Sequence, residues 1–146
     1  MARYLVVAHQ TAASPELIRR ARELAAEDPA AEFVLLVPAT PATHLLGGWE
    51  EGEVREIAQR RAREASAALA AAGVNLTGAR IGDASPMQAV EDTLREDPPF
   101  DVIVVSTFPP GISRWLRADL PGKLRRRCLQ PVEHVVAAPA SSPTST

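Results

Sequence analysis

The stretch that decides the fold is Phe100–Leu124, which reads FDVIVVSTFPPGISRWLRADLPGKL. It begins with a β-branched run, Asp101–Val105, that is typical of a strand buried on both faces of a sheet. The sequence Pro109–Gly111 then excludes both helix and strand. A second helix start follows, with Asp119 as the N-cap and Pro121 in the first turn. In an open α/β sheet, ligands bind where such a loop leaves the carboxyl end of a strand, so we expect any site to lie here.

The rest of the chain repeats this alternation of strand and helix. Four further strands are predicted at 4–8, 32–37, 74–81 and 132–137, and helices at about 14–28, 50–72, 85–97 and 120–129. The segment 38–49 is predicted to be a loop. Helices between successive strands, joined by right-handed crossovers, predict an open, mostly parallel five-stranded sheet with helices on both faces. We expect a single α/β domain over 1–138 and a disordered tail over 139–146.

The composition excludes several classes of protein. The chain has 146 residues, of which 46% are hydrophobic and 23% charged, as in an ordinary globular domain. Its net charge of −2 gives no general attraction to nucleic acid or to anionic membranes. The single cysteine, Cys128, excludes an internal disulfide. No apolar run reaches the roughly 20 residues that span a bilayer, and the chain enters a strand without a signal peptide, so a cytoplasmic location is expected.

Four segments together resemble the universal stress protein family between Arg3 and Ala137. They are RYLVVAHQTAAS at the first strand, GDASPMQAVEDTL at the third helix, DVIVVST at the fourth strand and KLRRRCLQPVEHVVA at the end. The resemblance implies a Rossmann-like sheet of the adenine-nucleotide alpha hydrolase type, with strand order 3-2-1-4-5. It also implies a homodimer paired through the last strand, here through Val132, His134 and Val136. The apolar last strand supports this pairing, because it would otherwise be an exposed edge.

Nucleotide-binding members of that family carry a glycine signature after the fourth strand. Its glycines let the backbone approach phosphates, and a Ser or Thr donates to them at a helix N-terminus. Here the first two glycine positions fall at Ser106 and Pro109, the third at Ala118, and the Ser/Thr position at Asp119, a carboxylate where a phosphate would lie. The aspartate that the family places after the first strand is His9. We therefore predict a divergent member whose ATP binding is weakened or lost.

Candidate ligand-binding residues border the expected crevice. His9 could contact a ligand, act as a general base or simply cap its strand. Arg114 and Arg117 belong to a basic cluster with Lys123 and Arg125–Arg127; they could bind phosphate in place of lost amides, or the cluster could be a solvated helix face. The full candidate set is His9, Gln10, Thr11, Ser106, Thr107, Gly111, Arg114 and Arg117.

Other residues have simpler interpretations. Phe108 and Trp115 could form an apolar lid over the crevice, or Trp115 could anchor the loop on the core. His44 is expected at the surface. Cys128 shares a helix face with leucines and is expected to be a buried apolar side chain rather than a nucleophile. A metal site is not expected, because no cysteine or second histidine lies near His9 in sequence.

No catalytic constellation is present in the sequence, which lacks H-E-x-x-H, a Walker loop and G-x-G-x-x-G. Two main hypotheses remain. The first is a non-enzymatic, dimeric, cytosolic protein of the universal stress type that acts through protein contacts. The second is a module that binds ATP, AMP or another anion with arginines of the loop after the fourth strand. A nucleotide-using hydrolase or transferase with His9 as its base is the third and weakest.

Overall fold

The computed structural model describes residues 1–40 and 51–138. The predictions of a loop over 38–49, of a surface-exposed His44 and of a tail over 139–146 concern residues that lie wholly or mostly outside those ranges. Within them, no helix is long and apolar enough to cross a membrane. The elements follow the chain in this order: β1 (Arg3–Val7), α1 (Pro15–Glu27), β2 (Glu32–Pro38), α2 (Glu51–Ala71), β3 (Leu76–Gly82), α3 (Pro86–Glu96), β4 (Val102–Thr107), α4 (Arg114–Arg117), α5 (Leu120–Arg127) and β5 (Val132–Val136).

The five strands form one sheet in the order β3-β2-β1-β4-β5, and every neighbouring pair is parallel. This confirms the predicted fold class and strand order. The chain runs outward from β1 to β2 and β3, and then crosses to the other side of β1 to form β4 and β5. The order in which strands are added to the sheet therefore reverses between β1 and β4. Open α/β sheets bind ligands at this point.

Each face of the sheet is buried under its own layer of helices. Along β1, Val6 belongs to a core formed with α1 and α2, whereas Leu5 and Val7 belong to a core formed with α3 and α5. All three side chains are almost completely buried. A strand that is buried on both sides needs apolar side chains at every position. The central strands are therefore continuous runs of apolar residues in the sequence.

Local signals fixed the ends of the long helices as predicted. The N–H of Leu17 donates to Ser14 Oγ (3.2 Å) at the start of α1, and the N–H of Gln88 donates to Ser85 Oγ (3.3 Å) at the start of α3. In both cases a proline follows the cap. Gly73 ends α2 with φ at +86°, a left-handed conformation that glycine adopts without strain.

The loop after β4 differs from the prediction at two points. It contains an unpredicted short helix, α4, whose start is capped by Ser113 Oγ, which accepts the N–H of Leu116 (3.1 Å). Asp119 precedes α5 as expected, but it makes no side-chain cap bond and has φ 55° and ψ 46°. Its N–H donates to the carbonyl of Leu116 (3.0 Å), so it closes α4 in a left-handed conformation. It cannot also adopt the extended backbone of a capping residue.

Candidate functional site

A small crevice lies where β1 and β4 end side by side. It encloses about 40 Å³. Drug-sized ligands occupy pockets of roughly 300–1,000 Å³. The crevice is lined by His9, Gln10, Thr11, Thr40, Ser106, Thr107, Phe108, Ser113, Arg114 and Trp115.

Most of the candidate residues meet at this crevice. The loop after β1 contributes His9, Gln10 and Thr11, β4 contributes Ser106 and Thr107, and Arg114 borders it from the first turn of α4. Gly111 and Arg117 are not among the lining residues, and both are exposed. Arg114 starts α4 and Arg117 ends it, so Arg117 lies one helical turn further along the chain from the crevice.

Hydroxyl groups tie the two strand ends together. Thr11 Oγ1 and Ser106 Oγ are 2.6 Å apart and buried. Thr107 Oγ1 donates to the carbonyl of Phe108 (2.7 Å) and lies 2.8 Å from Nε2 of His134 on β5. Ser106 and Thr107 are the last residues of β4 rather than part of a turn. Their hydroxyls are already bonded within the protein, which reduces what they can offer to a ligand.

His9 lies at the crevice with only 6% of its surface exposed. Among the residues that the structure describes, neither Nδ1 nor Nε2 has a hydrogen-bond partner. Burial, together with the positive field of Arg61 on α2, lowers the pKa of His9 to about 4. The imidazole is therefore neutral at pH 7 and is a weaker base than an ordinary histidine.

Two backbone donors of the loop after β4 are used within the loop. The N–H groups of Ile112 and Ser113 both donate to the carbonyl of Pro109 (3.1 Å each), and Pro109 and Pro110 themselves have no N–H. A phosphate-binding loop needs such donors turned towards the ligand. The structure corrects one expectation about this loop. Asp119 does not line the crevice, because its carboxylate lies over Gly122 and is 3.4 Å from Arg126.

Two lining residues were missed from the sequence. Thr40 follows β2, which neighbours β1, so the predicted strand order alone places it at this edge of the sheet. Ser113 is the N-cap of α4, and it accepts the N–H of Leu116 three residues later. A serine at such a position is the sequence signal that could have predicted this helix start. Phe108 and Trp115 both line the crevice. Trp115 also packs against the core under α3 and α5, so it anchors the loop as well.

A larger depression adjoins the crevice on the α1 and α2 side of the sheet. Its volume is about 420 Å³, and it shares Gln10, Thr11 and Phe108 with the crevice. Its other walls come from the start of α1, from Arg61 and Glu64 on α2, and from the chain that follows β5. It is large enough to hold a ligand of nucleotide size.

The arginines at the end of α5 make contacts away from the crevice. Arg125 Nη2 donates to the carbonyl of Val132 (3.3 Å), and Arg127 lies 3.6 Å from Glu91 on α3. Cys128 is partly buried against the core, as expected, and burial raises the pKa of its thiol. Within the described ranges, no group of three or more His, Cys, Asp or Glu residues could hold a metal ion.

The strand order and the crevice at its switch point define an open, doubly wound α/β protein. Two solved structures share this fold over nearly their whole length. One is a protein from the universal stress protein family from Burkholderia pseudomallei, with a TM-score of 0.60, 20% sequence identity, and coverage of 93% of this chain and 96% of that chain. The other is a universal stress protein in complex with cAMP, with a TM-score of 0.58, 18% identity, and coverage of 93% and 98%.

The chain therefore has the fold of the universal stress proteins, as the resemblance in its sequence predicted. No family model matches the sequence, and no curated protein matches it.

Proposed function

We propose that this chain is a non-enzymatic, cytosolic protein of the universal stress type that acts through protein contacts as a homodimer, with nucleotide binding weakened or lost. One observation carries the proposal. The loop after β4 folds on itself, because the N–H groups of Ile112 and Ser113 both bond to Pro109. The crevice beside it encloses only about 40 Å³. Neither feature suits a bound polyphosphate.

The dimer is supported by the last strand, β5, at the open edge of the sheet. The face of β5 that carries Val132, His134 and Val136 reads Val-His-Val in both directions. In an antiparallel pair of two copies centred on His134, each Val132 would face the other copy's Val136. Valines directly opposite each other are favourable cross-strand pairs. Val136 is 43% exposed, so pairing would cover an apolar side chain.

A thermal-shift titration with ATP, AMP and inorganic phosphate tests the loss of nucleotide binding. We expect no saturable shift at millimolar nucleotide, whereas a ligand at about 100 times its Kd would add roughly 2.7 kcal/mol. Arg114→Ala and Arg117→Ala provide a matched pair, because only Arg114 borders the crevice. A saturable shift that disappears in Arg114→Ala and persists in Arg117→Ala would overturn the proposal.

That outcome would favour the second candidate, a module that binds an adenine nucleotide or another anion. Its support is the depression of about 420 Å³ that adjoins the crevice and includes Arg61. One of the similar structures is a universal stress protein in complex with cAMP, which makes cAMP a further ligand for the titration.

Sedimentation velocity over a concentration series tests the dimer. We expect the wild type to dimerise and Val136→Lys to remain monomeric, because a charge at an open edge opposes strand pairing. Ile112→Lys is the control, since Ile112 is 50% exposed but lies in the loop before α4 rather than on β5. Equal dimerisation of the two variants would argue against pairing through β5.

A further inference from the structure

Some main-chain N–H and C=O groups of β5 form hydrogen bonds with β4, and the others face the open edge of the sheet. The N–H of Ile103 donates to the carbonyl of Pro131 (2.9 Å), and the N–H of Ala137 donates to the carbonyl of Thr107 (2.8 Å). Because N–H and C=O of one residue point to the same side of a strand, the odd-numbered residues of β5 face β4. The main chains of Val132, His134 and Val136 therefore face the open edge.

The side chain of Arg125 on α5 reaches this open edge. Arg125 Nη2 donates to the outward-facing carbonyl of Val132 (3.3 Å). The periodicity of α5 explains the contact. Leu120 and Leu124 are buried against the sheet, so Arg125 projects on the side of α5 that faces β5. Arg127 projects on the opposite side, towards Glu91 of α3.

This contact occupies an acceptor that a second strand would need. In an antiparallel pair centred on His134, the N–H of the other copy's Val136 would donate to the carbonyl of Val132. Two-fold symmetry places this competition at both ends of the paired strands.

We propose that Arg125 competes with a second strand for the open edge of β5 and weakens the pairing of two copies through this strand. The proposal rests on the β5 dimer of the proposed function and adds a residue that limits its affinity. Arg125 sets the concentration at which the dimer forms by competing for the carbonyl of Val132. The occupant of the edge is β5 of a second copy, since its Val-His-Val face is self-complementary.

Sedimentation equilibrium of Arg125→Ala and Arg127→Ala beside the wild type tests the proposal. Both variants lose one positive charge from the last turn of α5, but only Arg125 contacts β5. We expect the dimer of Arg125→Ala to be about tenfold tighter than that of the wild type, because two exposed contacts each contribute a few-fold. The Kd of Arg127→Ala should match the wild type. Adding Val136→Lys to Arg125→Ala should abolish the gain, which separates edge pairing from non-specific association.

The outcomes separate this proposal from the proposed dimer. A wild type that dimerises as tightly as Arg125→Ala would overturn the competing role of Arg125 but would still support the dimer. A monomeric wild type beside a dimeric Arg125→Ala would support the competing role of Arg125 and contradict the wild-type dimer. If both remain monomeric at high concentration, both proposals fall.

Discussion

His9 is a histidine whose ring is buried at the end of the central strand without a hydrogen-bond partner among the described residues. An imidazole that is buried and neutral in the folded state gains a proton more easily when the chain unfolds. Its pKa is about 4 in the fold against 6.5 ordinarily. Between those pH values the unfolded state binds more protons, so the free energy of unfolding falls as the pH falls.

We expect the wild type to lose up to about 3 kcal/mol of stability through His9 as the pH drops from 7 to 4. His9→Leu should lack this part of the loss, and it should be more stable than the wild type at pH 7, because it removes a buried imidazole that has no hydrogen-bond partner among the described residues. Urea unfolding of both proteins at pH 7, 5.5 and 4 gives the difference. An identical pH dependence in both proteins would contradict the prediction. The pKa of His134 is also lowered, mainly by burial, so a weaker dependence of the same sign should remain.

At the scale of single elements, β3 contains two glycines with opposite surroundings. A Cβ at Gly82 would lie 2.6 Å from Cβ of Ala89 on α3 and 2.9 Å from Cδ1 of Leu36 on β2. A Cβ at Gly78 would meet nothing within 4 Å. The close approach at Gly82 is what lets α3 pack on the sheet next to the turn.

We therefore expect Gly82→Ala to lower the free energy of unfolding by about 1–3 kcal/mol, the usual cost of overpacking a core. Gly78→Ala should stay within about 0.5 kcal/mol of the wild type, as is usual away from packed contacts. Chemical denaturation of the two variants measures both values. Equal effects would show that α3 can shift to accept the methyl group.

The junction of α4 and α5 depends on the left-handed backbone of Asp119 (φ 55°). We expect Asp119→Gly to be close to the wild type in stability and Asp119→Val to lose about 1–2 kcal/mol, because a β-branched residue is strained in this conformation. Both variants lose the exposed contact with Arg126, so their difference in melting temperature isolates the backbone effect. If the two variants melt together, the junction does not hold this conformation in solution.

At the scale of the whole molecule, one ion pair joins an early helix to the last strand. Arg20 on α1 binds both carboxylate oxygens of Glu133 on β5, and its Nη2 lies 3.1 Å from Oε1. The hydrogen bond to Glu133 is the main reason that the pKa of Arg20 is raised. Each side chain is about one-third exposed, so the solvent screens the pair only in part.

A double-mutant cycle with Arg20→Ala and Glu133→Ala should give a coupling energy of about 1 kcal/mol, at the upper end for partly exposed pairs. The pair Arg95 and Asp92 within α3 is the control, because Arg95 is 65% exposed. Its coupling should be about 0.3–0.5 kcal/mol. A coupling for Arg20 and Glu133 no larger than the control's would show that the pair does not hold β5 to α1.

The sequence by itself determined the order of the strands and the edge of the sheet at which the crevice lies. The serine-proline pairs at Ser14 and Ser85 start helices through contacts within a few residues, so they can be recognised locally. The alternation of strands and helices leaves few topologies, and right-handed crossovers select a parallel sheet. Once β1 and β4 are placed, the residues that follow them must meet at one edge of the sheet.

Only the tertiary structure decided what the crevice residues contact. The bond between Thr11 and Ser106 joins residues 95 positions apart, and no local pattern encodes such a distance. Arg114 and Arg117 look equivalent in sequence, yet only Arg114 borders the crevice, because α4 places Arg117 one turn further along the chain. The neutral state of His9 likewise depends on burial by distant segments. Local signals fix where elements begin and end, whereas partners, burial and pKa values arise when distant parts of the chain pack together.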